Sequence, residues 1–193
     1  FYPVYPAPNS VPENVPTRVG LEGSGTIVAV GEDCLIKHEI GSKVCFFGLG
    51  SWGQYILVNS GRCVSLGPNI SLEEGAFTVN AGTCIHLFDL TVNGGHKAAI
   101  QNAASSALGR MMIRYFKLKG VKLINIVRRN EYIEELTKEG ADYVLNQEDE
   151  EFPLKLKEIA AKEQATIAFD SVGGDMLGTI LWAMPPESED RKS

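Results

Sequence analysis

From residue 98 onward, short apolar runs alternate with segments whose apolar residues recur at helical spacing. The run AAIQNA (98–103) predicts a strand buried on both faces. Leu108, Met111, Met112, Tyr115 and Phe116 fall at i, i+3, i+4, i+7 and i+8, one face of a helix. LINIV (123–127) predicts the next strand, and Glu131 to Glu139 a short helix ended by Gly140. YVLN (143–146) predicts a third strand, Phe152 to Lys162 a helix, and TIAFDSV (166–172) a fourth strand, closed by Gly173-Gly174. Strands alternating with helices imply a mostly parallel sheet with right-handed crossovers.

The first half has a different rhythm. Residues 1–18 are rich in proline and asparagine and predict an irregular, exposed approach. From Val19 to Leu66, glycines and turn residues separate short runs: GTIVAVG (25–31), KVCFFG (43–48) and GQYILVN (53–59) predict strands of a small barrel or sandwich. Ser71 with Glu74 three residues on predicts a capped helix start. The tail from Pro185 to Ser193 is polar and carries no pattern. The fold class expected is α/β, with a β-rich domain over residues 1–82, a Rossmann domain over 83–184 and a polar tail over 185–193. The chain opens on Phe1 and stops before a parallel sheet of usual size is complete. Further protein is expected beyond both ends.

The richest segment chemically joins the strand at residue 98 to the one at 123. Its loop, Ala103-Ala104-Ser105-Ser106-Ala107-Leu108-Gly109, has small side chains that let backbone approach a phosphate at a helix N-terminus. Gly109 would let that helix pack closely on the strand. Read alone, such a loop is equally a tight structural turn. Arg128 and Arg129 add to it. Arg129 lies 20 residues beyond Gly109, where many dinucleotide-binding chains place a ribose-binding acid. A guanidinium there suits a 2′-phosphate on the adenosine ribose; the alternative is two solvated surface arginines.

Composition narrows the classes. The 193 residues are 44% hydrophobic and 22% charged, as in ordinary globular proteins. The net charge of -6 argues against a nucleic-acid or anionic-membrane surface as the main partner. No apolar run is long enough to span a bilayer. Cys34, Cys45, Cys63 and Cys84 lack zinc-knuckle spacing and read as free thiols. His38, His86 and His96 lack metal-ligand spacing and read as surface or capping residues, so no metal site is expected. Asp170 ends a strand at the carboxyl edge of the sheet, placed either to meet a ligand or to cap a turn with Gly173 and Gly174. No G-x-S-x-G element occurs, so a serine hydrolase has no support.

The order of a glycine-punctuated β domain and a Rossmann unit resembles the medium-chain dehydrogenase/reductases. Gly20-Leu21-Glu22-Gly23-Ser24-Gly25, followed by Val28-Ala29-Val30-Gly31, is similar to that superfamily's signature. Zinc-dependent members carry histidine where this chain has Leu21, and they carry a cysteine-rich lobe that is absent here, so the chain resembles the zinc-free branch. Within it, Gly48-Leu49-Gly50-Ser51-Trp52, Thr78-Val79-Asn80-Ala81-Gly82-Thr83 and the run from Ile100 to Gly109 look most like mitochondrial-type trans-2-enoyl-CoA/enoyl-acyl-carrier-protein reductases. Gly53-Gln54-Tyr55 is closer to the quinone reductases.

The resemblance implies an incomplete GroES-like β-barrel catalytic domain before the Rossmann domain, with NADPH and substrate in the cleft between them. It implies reduction of the 2,3-double bond of an enoyl thioester, with Tyr2 as the catalytic hydroxyl donor and Tyr5 as its rival. Cofactor contacts are expected from Asn80, Thr83, Ser105, Ser106, Ala107, Leu108, Gly109, Arg128 and Arg129. The partners implied are the enoyl thioester, an acyl carrier protein and a second copy of the chain; the location implied is mitochondrial in a eukaryote and cytoplasmic otherwise. Two alternatives stay open: a zinc-free NADPH quinone or enone reductase, and a non-catalytic NADPH-binding relative.

Overall fold

The computed structural model describes residues 19–186 and 189–192, and the chain divides into two compact units between Val79 and Asn80. In the first unit, β1 (Glu22–Thr26), β2 (Lys43–Phe47) and β3 (Cys63–Ser65) form an antiparallel sheet in that order. Gly23 lies opposite Phe46, and a Cβ there would stand 3.0 Å from the phenyl ring, so the missing side chain is the space the ring occupies. Behind the sheet sits α1 (Leu72–Gly75). Its N-terminus carries the predicted capping box: the Glu74 amide donates to the Ser71 hydroxyl at 3.1 Å, and the Ser71 amide donates to the Glu74 carboxylate at 2.8 Å. Hydrogen bonding to the Ser71 backbone amide first, and to the Ser71 side chain second, holds the Glu74 carboxyl below its ordinary range.

Two expectations for this unit need correction. The run at 25–31 leaves the sheet after Thr26; Ile27 still donates to Ser42 and accepts from Gly41, and the ladder ends there. The run at 53–59 has the alternation of a strand, with Ile56 and Val58 turned in over Gly48, but among the described residues it pairs with no strand. Alternation reports which side chains turn inward, whereas a strand also needs a neighbour for its backbone.

In the second unit, α2 (Thr78–Asn93) leads into β4 (Ala98–Gln101), α3 (Ala107–Lys119), β5 (Lys122–Val127) and α4 (Glu131–Lys138). β6 (Tyr143–Asn146), α5 (Phe152–Glu163), β7 (Ala165–Asp170), α6 (Asp175–Ala183) and β8 (Glu189–Lys192) follow. All strand pairs are parallel, in the order β6-β5-β4-β7-β8. The order reverses between β4 and β7, which makes their carboxyl ends the topological switch point of a doubly wound sheet. The stretch at 185–193, expected to be a tail without pattern, contributes β8 along β7. Its sequence is charged, so only the pairing of its backbone reveals it.

Helices cover both faces of this sheet. On one face α2, α3 and α4 bury Leu87, Phe116 and Leu136; on the other α5 and α6 bury Leu156 and Ile180. The helical face read from the sequence is the face of α3 that packs inward, and Gly120 ends α3 in the left-handed conformation at φ 75°. Phe116 is fully buried, and the Phe88 ring meets it edge-on at 5.3 Å. Burial also pushes the Cys84 thiol up to about 11. Truncating Phe116→Ala should cost about 3–5 kcal/mol. Urea denaturation followed by circular dichroism checks this, and a loss below about 1 kcal/mol would mean the ring is not a pillar of this core.

Candidate dinucleotide site

The loop between β4 and α3 is fixed by close packing and by spent polar groups. A Cβ on Gly109 would come within 2.5 Å of the Ala104 carbonyl oxygen and 2.7 Å of two further Ala104 backbone atoms. Only glycine lets the first turn of α3 settle on the loop this tightly. Ala103 takes the left-handed conformation at φ 49° to turn the chain from strand to loop. The Ala104 amide donates to Ile126 at 3.2 Å, and the Ser106 amide to Ala103 at 2.9 Å. Ser106 is the N-cap, its hydroxyl accepting from the Gly109 amide at 3.1 Å.

That leaves the amides of Ala107 and Leu108 in the first turn of α3, with no acceptor among the described residues. Ser106 and Ala107 are exposed, and Ser105 and Leu108 half-buried. Unspent amides at a helix N-terminus, beside small side chains, form a seat for an anion.

Buried amide side chains that the sequence reading passed over set the frame beneath this seat. Gln101, 2% exposed, donates to the Gly109 carbonyl at 3.0 Å and to the Asn125 side chain at 2.7 Å. Asn125, its partner across the β4–β5 pair, donates in turn to the carbonyls of Leu123 and Tyr143. Asn102 donates to Asp170 and accepts from the Ser171 amide at 2.8 Å, tying the loop after β4 to the loop after β7. Asp170 also accepts from the amides of Val172 and Gly173, so the turn-capping alternative describes what its carboxylate does. A signal was present: polar residues inside otherwise apolar strands need partners when buried.

Arg128 and Arg129 are exposed just beyond the carboxyl end of β5. Arg129 pairs with Glu131 at 3.2 Å, and Arg128 has no partner among the described residues. The turn that carries them is held by Asn146, which donates to Asn130 at 2.8 Å. Asn80 and Thr83 lie on α2, both half-buried. Tyr2 and its rival Tyr5 fall outside the described residues. In the first unit, burial pushes the Glu22 carboxyl up, and one of its oxygens is buried without a hydrogen bond among the described residues. His38 lies near the Ser60 carbonyl and the Ser65 hydroxyl, and His96 bonds the Thr166 hydroxyl. Among the described residues, no group of three or more His, Cys, Asp or Glu is arranged to hold a metal ion.

Residues 107–187 match the family model described as zinc-binding dehydrogenase. A mitochondrial enoyl-[acyl-carrier-protein] reductase of Caenorhabditis elegans is 32% identical over 157 residues, 77% of this chain and 43% of the relative. The crystal structure of a candidate NADPH:quinone reductase from Mesorhizobium loti is 35% identical with a TM-score of 0.82, covering 88% of this chain and 51% of that one. The chain belongs to the medium-chain dehydrogenase/reductase superfamily. Quinone oxidoreductase 1 of Escherichia coli, 27% identical over 85% of the chain and 51% of the relative, comes from the same superfamily. The chain spans about half the length of the medium-chain dehydrogenase/reductases it matches.

The contact at Gly109 supplies a direct test of the loop. Gly109→Ala should force α3 away from Ala104 and cost about 1–3 kcal/mol, the usual effect of overpacking. Thermal denaturation measures it, and an unchanged melting temperature would show that the close approach is not required.

Proposed function

We propose that this chain holds NADPH and belongs to an oxidoreductase that reduces the 2,3-double bond of trans-2-enoyl thioesters, carried on coenzyme A or an acyl carrier protein. The observation that carries the NADPH reading is the occurrence of amides at Ala107 and Leu108 and a guanidinium at Arg128 that have no partner among the described residues. The residues present fit the cofactor: the amides suit its pyrophosphate, and Arg128 with Arg129 suits the 2′-phosphate of its adenosine ribose. Asn80 and Thr83, on α2, complete the proposed set of contacts. NADPH, when bound, supplies a hydride to an electron-poor carbon.

The chain's own residues bind, orient and stabilise. Small side chains at Ala103, Ala104 and Ala107 let backbone approach phosphate. Negative charge develops on the thioester oxygen as the double bond is reduced. Tyr2 is proposed to donate a hydrogen bond to that oxygen, an interaction strongest in the transition state. Support for the enoyl thioester comes from the likeness to the Caenorhabditis elegans reductase and from the run Ile100 to Gly109. A homodimer and an acyl carrier protein partner belong to the same reading.

A second reading, a zinc-free NADPH quinone or enone reductase, is favoured by the likeness to the Mesorhizobium loti structure and by Gly53-Gln54-Tyr55. A non-catalytic NADPH-binding relative would bind the cofactor and reduce neither substrate.

Two measurements divide these readings. In calorimetric titrations NADPH should bind more tightly than NADH. Arg128→Ala should remove about 10-fold to 100-fold of that preference, the worth of a charge-assisted contact. Arg129→Ala should remove less, because Arg129 must first leave Glu131. Equal affinity for the two cofactors would defeat the phosphate assignment. NADPH consumption with crotonyl-CoA and with a quinone then separates the substrates. Tyr2→Phe should lower crotonyl-CoA turnover by about 10²-fold to 10³-fold while leaving NADPH affinity alone. Unchanged turnover would remove Tyr2 from the mechanism, and activity on the quinone alone would favour the second reading.

A further inference from the structure

Arg110 is the fourth residue of α3, and its guanidinium is shared among three groups. Nε donates to the Ser105 carbonyl at 3.0 Å. One terminal nitrogen pairs with Glu135 at 2.9 Å and also with Glu139, both on the α4 side. The second Glu139 oxygen is taken by Arg114 at 2.8 Å. The Arg110 side chain is only 23% exposed, against 66% for Arg114, so solvent competes less for its bonds. The hydrogen bond with Glu135 raises the Arg110 guanidinium and holds the Glu135 carboxyl down.

The bond to Ser105 bears on the anion seat. The Ser105–Ser106 peptide is held on both sides, its carbonyl by Arg110 and its N–H by the Ala103 carbonyl. Peptides are planar, so a carbonyl bound this way cannot swing toward an anion resting on the amides of Ala107 and Leu108. A peptide free to flip would present an oxygen there and repel it. The same guanidinium ties the loop to the far end of α4, the helix that begins just after Arg128 and Arg129.

We infer that Arg110 is a positioning residue for pyrophosphate: it locks the Ser105–Ser106 peptide so that the loop offers amides and withholds its carbonyl. This rests on the NADPH reading above. In this role Arg110 acts through the loop peptide, which it reaches by its bond to the Ser105 carbonyl. The role needs the planar fork, because one edge serves the carbonyl while another serves the carboxylates. A lysine keeps the charge for Glu135 and Glu139 and loses that simultaneous reach.

The test titrates the 193-residue chain with three probes. NADPH carries both anionic groups, ADP carries a pyrophosphate without a 2′-phosphate, and 2′-AMP carries a 2′-phosphate without a pyrophosphate. Arg110→Lys should weaken ADP and NADPH by about 10-fold, leave 2′-AMP within about twofold, and barely move the melting temperature. Glu139→Gln keeps the arginine but loosens its anchor; it should weaken ADP by about threefold and serves if Arg110→Lys does not fold. Wild-type ADP affinity in the folded variant overturns the inference. So does a parallel loss of ADP, 2′-AMP and thermal stability, the mark of a purely structural tie. If the wild-type chain binds none of the probes, the NADPH reading falls too; if it binds them and the variants match it, only the role of Arg110 falls.

Discussion

The approach of Gly109 to Ala104 is the constraint on which the candidate site depends. The backbone of α3 sits on the loop at a distance that no Cβ at residue 109 would permit. The proposed anion seat builds on that contact. It sets how near the first turn of α3 lies to β4, and therefore where the amides of Ala107 and Leu108 stand. Ser106 can then cap the helix through its hydroxyl. Ala103 contributes by accepting a left-handed backbone, a local cost that the surrounding hydrogen bonds offset.

Close packing alone would leave the loop free to slide, and buried amides remove that freedom. Gln101 and Asn125 are buried among mostly apolar strand residues; Gln101 donates to the Gly109 carbonyl and to the Asn125 side chain, and Asn125 accepts that bond while donating to the carbonyls of Leu123 and Tyr143. A buried amide left unpaired would cost about 1–3 kcal/mol, so the pair is stable in one register of β4 on β5. Asn102 and Asp170 act alike across the switch point, joining the two loops that flank it. The polar groups inside this sheet thus specify geometry at the strand ends where a ligand would rest.

Charge on the outside plays a smaller part. Lys117 and Lys122 converge on Asp142; burial pushes that carboxyl up, and the hydrogen bonds and charges of Lys122 and Lys117 together outweigh burial and hold it down. Such half-exposed pairs contribute at most modest stability. Arg110 differs because its bonds reach the loop as well as the neighbouring helix. Among the described residues, no helix is long and apolar enough to cross a membrane.

The sequence by itself determined the order of elements from β4 to β7, the inward face of α3, the capping box at Ser71 and the place of the small-residue loop before α3. These are local properties: apolar spacing, a cap and a run of small residues can be read within one window of chain. The tertiary structure decided what depends on a distant partner. Residues 53–59 alternate like a strand and have no neighbouring strand among the described residues, whereas the charged residues 189–192 become a strand because β7 lies beside them. Gln101 and Asn125 look out of place in apolar runs until strand register sets them face to face. Arg110 carries no signal in the sequence, and only the fold gathers Ser105, Glu135 and Glu139 around it. Hydrogen bonds between residues far apart in the chain have no period, so only the folded backbone reveals them.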